Sequence, residues 1–214
     1  MLDLLLPRRC VVCGAPRTLL CNGCRDGLSR LAPPLCACCG APTVWPVARC
    51  RECAGRRLAF SRARSATEYD ASVRRLVRSW KERGLRSLGT AAALVIVERV
   101  PAPDADVVTF VPPDRGRRLE RGYHPAEQLA RAVASAWGLP CESLLARAGG
   151  ARQRGLSRTE RRRNVAHAFS GDAGGRRVVL VDDVYTTGAT AHAAARALRT
   201  AVEVVTFARA TRSS

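Results

Sequence analysis

Two groups of residues in this chain have the type and spacing to do chemistry. The first is eight cysteines in four Cys-x-x-Cys pairs: Cys10 with Cys13, Cys21 with Cys24, Cys36 with Cys39, and Cys50 with Cys53. Each such turn presents two thiolates to one tetrahedral metal, so four pairs suffice for two zinc sites of four cysteines each. The short loops favour sequential pairing, with the first four thiols on one zinc and the next four on another. Interleaved pairing, or one zinc with the other pairs idle, also satisfies the spacing. A glycine follows Cys13 and Cys39, which suits a knuckle whose backbone packs close to the metal. Four sulfur ligands leave no position for water, so zinc in such sites is structural. Buried thiols and a redox relay are the competing readings, and four evenly distributed pairs favour ligands. Cys38 falls out of register and Cys141 sits in a strand-like segment, so both read as plain buried thiols.

The second group lies in the run Val178-Val179-Leu180-Val181-Asp182-Asp183-Val184-Tyr185-Thr186-Thr187-Gly188-Ala189-Thr190, followed by an alanine-rich helical pattern. An aliphatic strand ends here in two carboxylates, and a Thr/Gly loop opens a helix. In an α/β sheet, ligands bind beyond the carboxyl ends of the strands. Backbone N–H groups of the loop and of the helix N-terminus attract an anion, and threonine hydroxyls add donors. Gly188 lets the backbone approach closely. The two acids repel a phosphate, so they suit the vicinal hydroxyls of a sugar or a metal. A phosphate cradle beside a diol reader describes a ribose 5-phosphate site.

Other chemistries fit the run less well. If Thr186 or Thr187 merely capped a helix, one such residue would be enough. A nucleoside triphosphatase needs G-x-x-x-x-G-K-[ST], whereas the sole lysine, Lys81, follows Trp80 with no glycine-rich loop before it. A receiver-type phosphoacceptor needs further acids and a lysine beside them, for which the sequence shows no pattern.

The elements that must position these groups follow from composition and period. The chain has 214 residues, 47% hydrophobic and 25% charged, which is enough for one ordinary domain plus a small appendage. Its formal net charge of +18 favours anionic partners such as phosphorylated substrates, nucleic acid or acidic membrane surfaces. The longest apolar stretch, Ala91 to Val97, is too short to cross a bilayer, and the residues after Met1 do not read as a secretory leader. Paired cysteines without an export signal point to a reducing, cytoplasmic setting.

Nine of the ten cysteines fall between Cys10 and Cys53, in a proline-punctuated stretch with no sustained period. Residues 1–60 therefore read as a cysteine-rich module and residues 61–214 as an α/β domain. Strand-like runs at 107–111, 178–181 and 202–207 alternate with helical patterns. Val73, Leu76, Val77 and Trp80 form one, residues from Ala126 to Trp137 another, and Ala194, Ala197 and Leu198 a third. Such alternation predicts a mostly parallel sheet with helices on its faces.

The thirteen-residue run resembles the phosphoribosyl pyrophosphate motif of type I phosphoribosyltransferases: aliphatic strand, acid pair, T-T-G-x-T. With the cysteine module in front, the whole chain resembles the ComF family, which joins an N-terminal double zinc ribbon to this domain and is associated with DNA uptake in competent bacteria. Two further segments agree with the family. One runs from Val111 to Tyr123 and carries an R-x-x-R-G-aromatic element. The other, Gln153 to Val165, is similar to its Q-x-x-L…R-x-x-N stretch. His124 and Pro125 stand where the family usually has Asn and Gln.

The resemblance implies that Asp182 and Asp183 engage the ribose hydroxyls and that Thr186, Thr187, Gly188, Ala189 and Thr190 hold the 5-phosphate. It places Arg115, Arg118 and Arg121 on the pyrophosphate, with magnesium bridging pyrophosphate and sugar. Purine-salvage members carry an acid where Thr186 stands, so ordinary 6-oxopurine salvage is disfavoured and the acceptor is open. The implied activity is phosphoribosyl transfer. The alternative is a protein that handles single-stranded DNA with its basic surface, alongside DNA-uptake machinery, and keeps the sugar-phosphate site in a regulatory or vestigial role. Ser157 to Glu160 reads as a capping box for a short helix with Arg161, Arg162 and Arg163, either a basic lid or a solvated face. His124, His167 and His192 are isolated and read as satisfied or surface histidines.

Overall fold

A computed structural model describes residues 8–113, 122–147 and 168–211 of the chain. Val178 to Val181 are all buried, so this run needs cover on both faces, as a central parallel strand does. It begins β5 (Val178–Tyr185), which lies between β6 (Val202–Arg209) and β2 (Val107–Phe110). β1 (Arg62–Glu68) completes a sheet in the order β1-β6-β5-β2, and every neighbouring pair is parallel. β3 (Leu145–Arg147) and β4 (Phe169–Gly171) form a separate antiparallel pair.

One face of the sheet is covered by α2 (Ala71–Glu82), α3 (Ser87–Arg99) and α4 (Pro125–Trp137). The sequence period predicts α2: Val73, Leu76, Val77 and Trp80 are its buried stripe. Asp70 caps it, accepting the Val73 N–H at 2.9 Å. Pro125 opens α4, where its missing N–H and fixed φ cost nothing, and Gly138 closes it in the left-handed conformation. The other face is covered by α5 (Ala189–Leu198), Phe60, Tyr185 and the cysteines of the second module half.

Three features differ from the sequence reading. β5 runs on through Tyr185, so Asp182 and Asp183 lie inside its last half rather than beyond its end. The strand β1 and the helix α3 carry no period that announces them. α3 is apolar on most sides and therefore buried, which erases the amphipathic signal.

Among its described residues, the cysteine module has one short helix, α1 (Asn22–Asp26), two isolated antiparallel bridges, Arg9 with Pro16 and Leu35 with Pro42, and otherwise turns and irregular chain. Turns leave carbonyls unpaired, and arginines of the α/β part supply the donors. Arg64 bonds the Ala37 carbonyl at 3.1 Å, Arg75 the Val12 carbonyl at 3.1 Å and Arg99 the Leu28 carbonyl at 3.0 Å. Gly40, at φ +70, lies so close to the Ala63 carbonyl of β1 that a Cβ would collide with it.

Candidate functional site

The carboxyl end of β5 borders a cleft of about 250 Å³. Successive strand residues point to opposite faces, which gives the two acids different neighbours. Asp183 is 7% exposed and forms an ion pair with Lys81, in the last turn of α2. Asp182 is half-buried, and its Oδ1 accepts the Asp183 N–H at 2.9 Å. Burial, and next the charge of Asp183, push the Asp182 carboxyl well above its usual range. Burial acts on Asp183 in the same direction, but the Lys81 ammonium outweighs it and holds Asp183 below the usual range.

Beyond β5 the chain turns through Thr186 and Thr187, both exposed, to Gly188 at φ +72. That conformation favours glycine, and a Cβ there would also overlap the Tyr185 hydroxyl. The Thr187 Oγ1 accepts the Ala189 N–H at 3.4 Å, and the first turn of α5 follows. Thr190 lines the cleft beside both acids and also a small hollow of about 20 Å³ under the loop. An acid pair, a hydroxyl-rich loop and a helix N-terminus thus share one end of the sheet.

Two cations line this cleft without belonging to any motif of the sequence. Lys81 is one, and its being the only lysine among 36 basic residues was the available clue. The other is Arg147, which lines the cleft, donates to the Pro112 carbonyl at 3.2 Å and stacks over Phe169 at 5.2 Å. His124 packs edge-on against Phe110 at 5.3 Å and lies 3.7 Å from Glu127, while His192 accepts a backbone N–H, so both have partners. Arg115, Arg118 and Arg121 lie outside the described residues. So do His167, the Ser157 capping box, and Arg161, Arg162 and Arg163.

The paired cysteines form two groups. Cys10, Cys13, Cys21 and Cys24 bring their sulfurs within 4.8 Å of one another, and so do Cys36, Cys39, Cys50 and Cys53. Individual separations are 3.7 Å for Cys13–Cys21, 3.6 Å for Cys36–Cys53, 3.5 Å for Cys39–Cys50 and 4.0 Å for Cys50–Cys53. Tetrahedral zinc with bonds of about 2.3 Å sets sulfurs about 3.8 Å apart, so both donor sets fit that ion. The grouping is sequential. In Cys36, burial would raise the thiol, yet the N–H groups of Cys39, Cys50 and Cys38 outweigh it and bring it to about 6. Cys24 is pushed up to about 12, first by its bond with the Cys13 sulfur and then by burial. A central cation removes that conflict by taking all four as thiolates. Cys38 is buried and Cys141 half-buried, and neither belongs to a tetrad.

Comparison with known proteins bears on both parts. Residues 1–54 match the family described as the double zinc ribbon domain. The competence protein ComFC of Bacillus subtilis (strain 168) is 34% identical over 94 residues, 43% of this chain and 38% of that protein. Both matches agree with the resemblance to the ComF family drawn from the sequence. The match thus spans well under half of the ComFC length. Among solved structures, the allosteric regulatory enzyme of purine biosynthesis overlays 54% of this chain and 25% of its own, with 23% identity and a TM-score of 0.35. The glutamine phosphoribosylpyrophosphate amidotransferase of B. subtilis overlays 56% of this chain and 25% of its own, with 26% identity and a TM-score of 0.33. The α/β part of this chain is a four-stranded parallel sheet with helices on both faces, behind a module with two zinc-fitting tetrads. No helix among the described residues is long and apolar enough to cross a membrane.

Proposed function

We propose that this protein, as its resemblance to the ComF family implies, binds phosphoribosyl pyrophosphate with magnesium at the carboxyl end of β5 and transfers the phosphoribosyl group to an acceptor. The observation that carries the reading is the meeting, in one cleft, of Asp182, Asp183 and Thr190 with the cation Lys81. Two adjacent carboxylates would by themselves repel a polyanion. Lys81 neutralises one of them, so the pair keeps its acceptor oxygens for ribose hydroxyls at lower cost to an incoming phosphate.

The loop from Thr186 to Thr190 receives the 5-phosphate through its backbone N–H groups, its hydroxyls and the N-terminus of α5. Asp182 and Asp183 hold the ribose ring so that its anomeric carbon faces the cleft. Magnesium arriving with the substrate would offset the charge of the leaving group. Arg147 adds a fixed cation on the cleft wall, and Arg115, Arg118 and Arg121 are proposed to grip the pyrophosphate. The bond from the anomeric carbon to the pyrophosphate oxygen breaks, and a bond to the acceptor forms. The reaction is read as cytoplasmic.

A second reading has support of its own. Trp45, two-thirds exposed, and Val44 beside it stand on the loop between Cys39 and Cys50. An exposed tryptophan on a chain of net charge +18 suits base stacking and phosphate attraction of single-stranded DNA. Isothermal titration separates the two. With magnesium and phosphoribosyl pyrophosphate, the wild type gives a saturating heat, and the double variant Asp182→Asn with Asp183→Asn loses at least tenfold in affinity. Absence of heat with the sugar phosphate, beside salt-sensitive binding of an oligonucleotide, would replace the transferase reading by the DNA one.

A further inference from the structure

Arg209, the last residue of β6, is 1% exposed, and a guanidinium at that depth requires partners. It donates to the Cys39 carbonyl at 2.6 Å and to Glu52 at 2.7 Å, and it lies 3.7 Å from the Cys39 sulfur. Zinc held by four thiolates carries a net double negative charge, and donors to the sulfurs and nearby cations offset it. Arg209 is placed as that counter-cation for the second tetrad. Its guanidinium also lies over the Tyr185 ring, 4.6 Å from the centroid, and Phe60 closes the edge of the same ring at 6.3 Å. The Tyr185 hydroxyl rests against Gly188.

A second path reaches the same glycine. Past Cys53 the chain arrives at Ala59, whose N–H donates to His192 Nδ1 at 3.0 Å. The backbone N–H of His192 donates to the Gly188 carbonyl at 2.9 Å, the bond that ties the first turn of α5 to this glycine. Burial, and after it Arg196 and Arg56, lower the His192 pKa, which keeps Nδ1 free to accept. Two routes from one tetrad therefore converge on the loop between β5 and α5. The first tetrad does something else: Val11, Leu19 and Leu20 around it pack on the opposite face, with α2 and α3.

We propose that the second cysteine tetrad, acting through Arg209 and Tyr185 and through Ala59 and His192, is a strut that sets the shape of the loop from Thr186 to Thr190, so that loss of its metal loosens that loop. Any effect on ligand rests on the phosphate-seat reading above; the strut itself does not.

Hydrogen exchange of the full, zinc-loaded chain tests the strut without a ligand. Arg209→Met should speed exchange of amides in residues 186–191 by roughly tenfold, and His192→Ala by a few-fold, with β2 amides unchanged. Arg209→Met should also release one zinc to a chelator several-fold faster than the wild type does. Cys13→Ser, which disables the first tetrad, should leave the loop at the wild-type rate. Wild-type exchange in the loop of Arg209→Met would overturn the proposal, as would equal acceleration by Cys13→Ser. If Arg209→Met unfolds the sheet, His192→Ala decides, and an unchanged loop there overturns it. Failure of the wild type to bind phosphoribosyl pyrophosphate would instead count against the function proposed for the loop.

Discussion

Asp182 and Asp183 are neighbours in sequence and opposites in surroundings. Asp183 faces an ammonium, and Asp182 faces burial and a charged neighbour. A carboxyl whose folded pKa is raised stabilises the fold while protonated. That contribution is complete below the ordinary carboxylate range and is lost as pH rises through the raised value. Asparagine has no proton to lose there. Asp182→Asn is therefore expected to gain stability over the wild type as pH rises, and denaturant midpoints followed upward from about pH 4, the ordinary carboxylate range, would record the widening gap. A gap independent of pH would contradict the assignment. The acid pair and the Thr/Gly loop were legible because their residue types and order carry the chemistry. Lys81 was not, because its partner lies on a different element far along the chain.

At the scale of elements, the position of Lys81 depends on how α2 meets α3. Trp80, fully buried, lies on the bare backbone of Gly89 in α3, where a Cβ would stand 2.9 Å from the indole. The Tyr123 hydroxyl donates to the Trp80 carbonyl, and the Trp80 Nε1 reaches Gln128 at 3.4 Å. Gly89→Ala would gain about 1 kcal/mol of helix propensity and lose about 1–3 kcal/mol to overpacking. The ring is held on several sides and has little room to give, so overpacking wins. A net loss of about 1 kcal/mol in chemical denaturation is expected, and a stabilised variant would show that the helices separate freely. The period exposed α2 and α4 in the sequence because each has one wet face. It could not expose α3, whose outward stripe includes the apolar Leu94, nor β1, where Arg62 pairs with Glu203 of β6 and Arg64 with a carbonyl of the cysteine module.

For the whole molecule, the charge of +18 does two jobs. Arg64, Arg75, Arg99 and Arg209 spend their donors on carbonyls of the cysteine module and join it to the sheet, so part of the basic excess holds the fold together. At the cleft, Lys81 offsets the charge of Asp183 and Arg147 stands on the wall where an anion would meet it. A crystal structure with phosphoribosyl pyrophosphate and magnesium tests the central claim most directly. It should place the 5-phosphate against the backbone of Thr186 to Thr190 and the ribose hydroxyls within hydrogen-bonding distance of Asp182 and Asp183. A sugar phosphate seated elsewhere, with both acids still turned only to Lys81 and the protein, would contradict it.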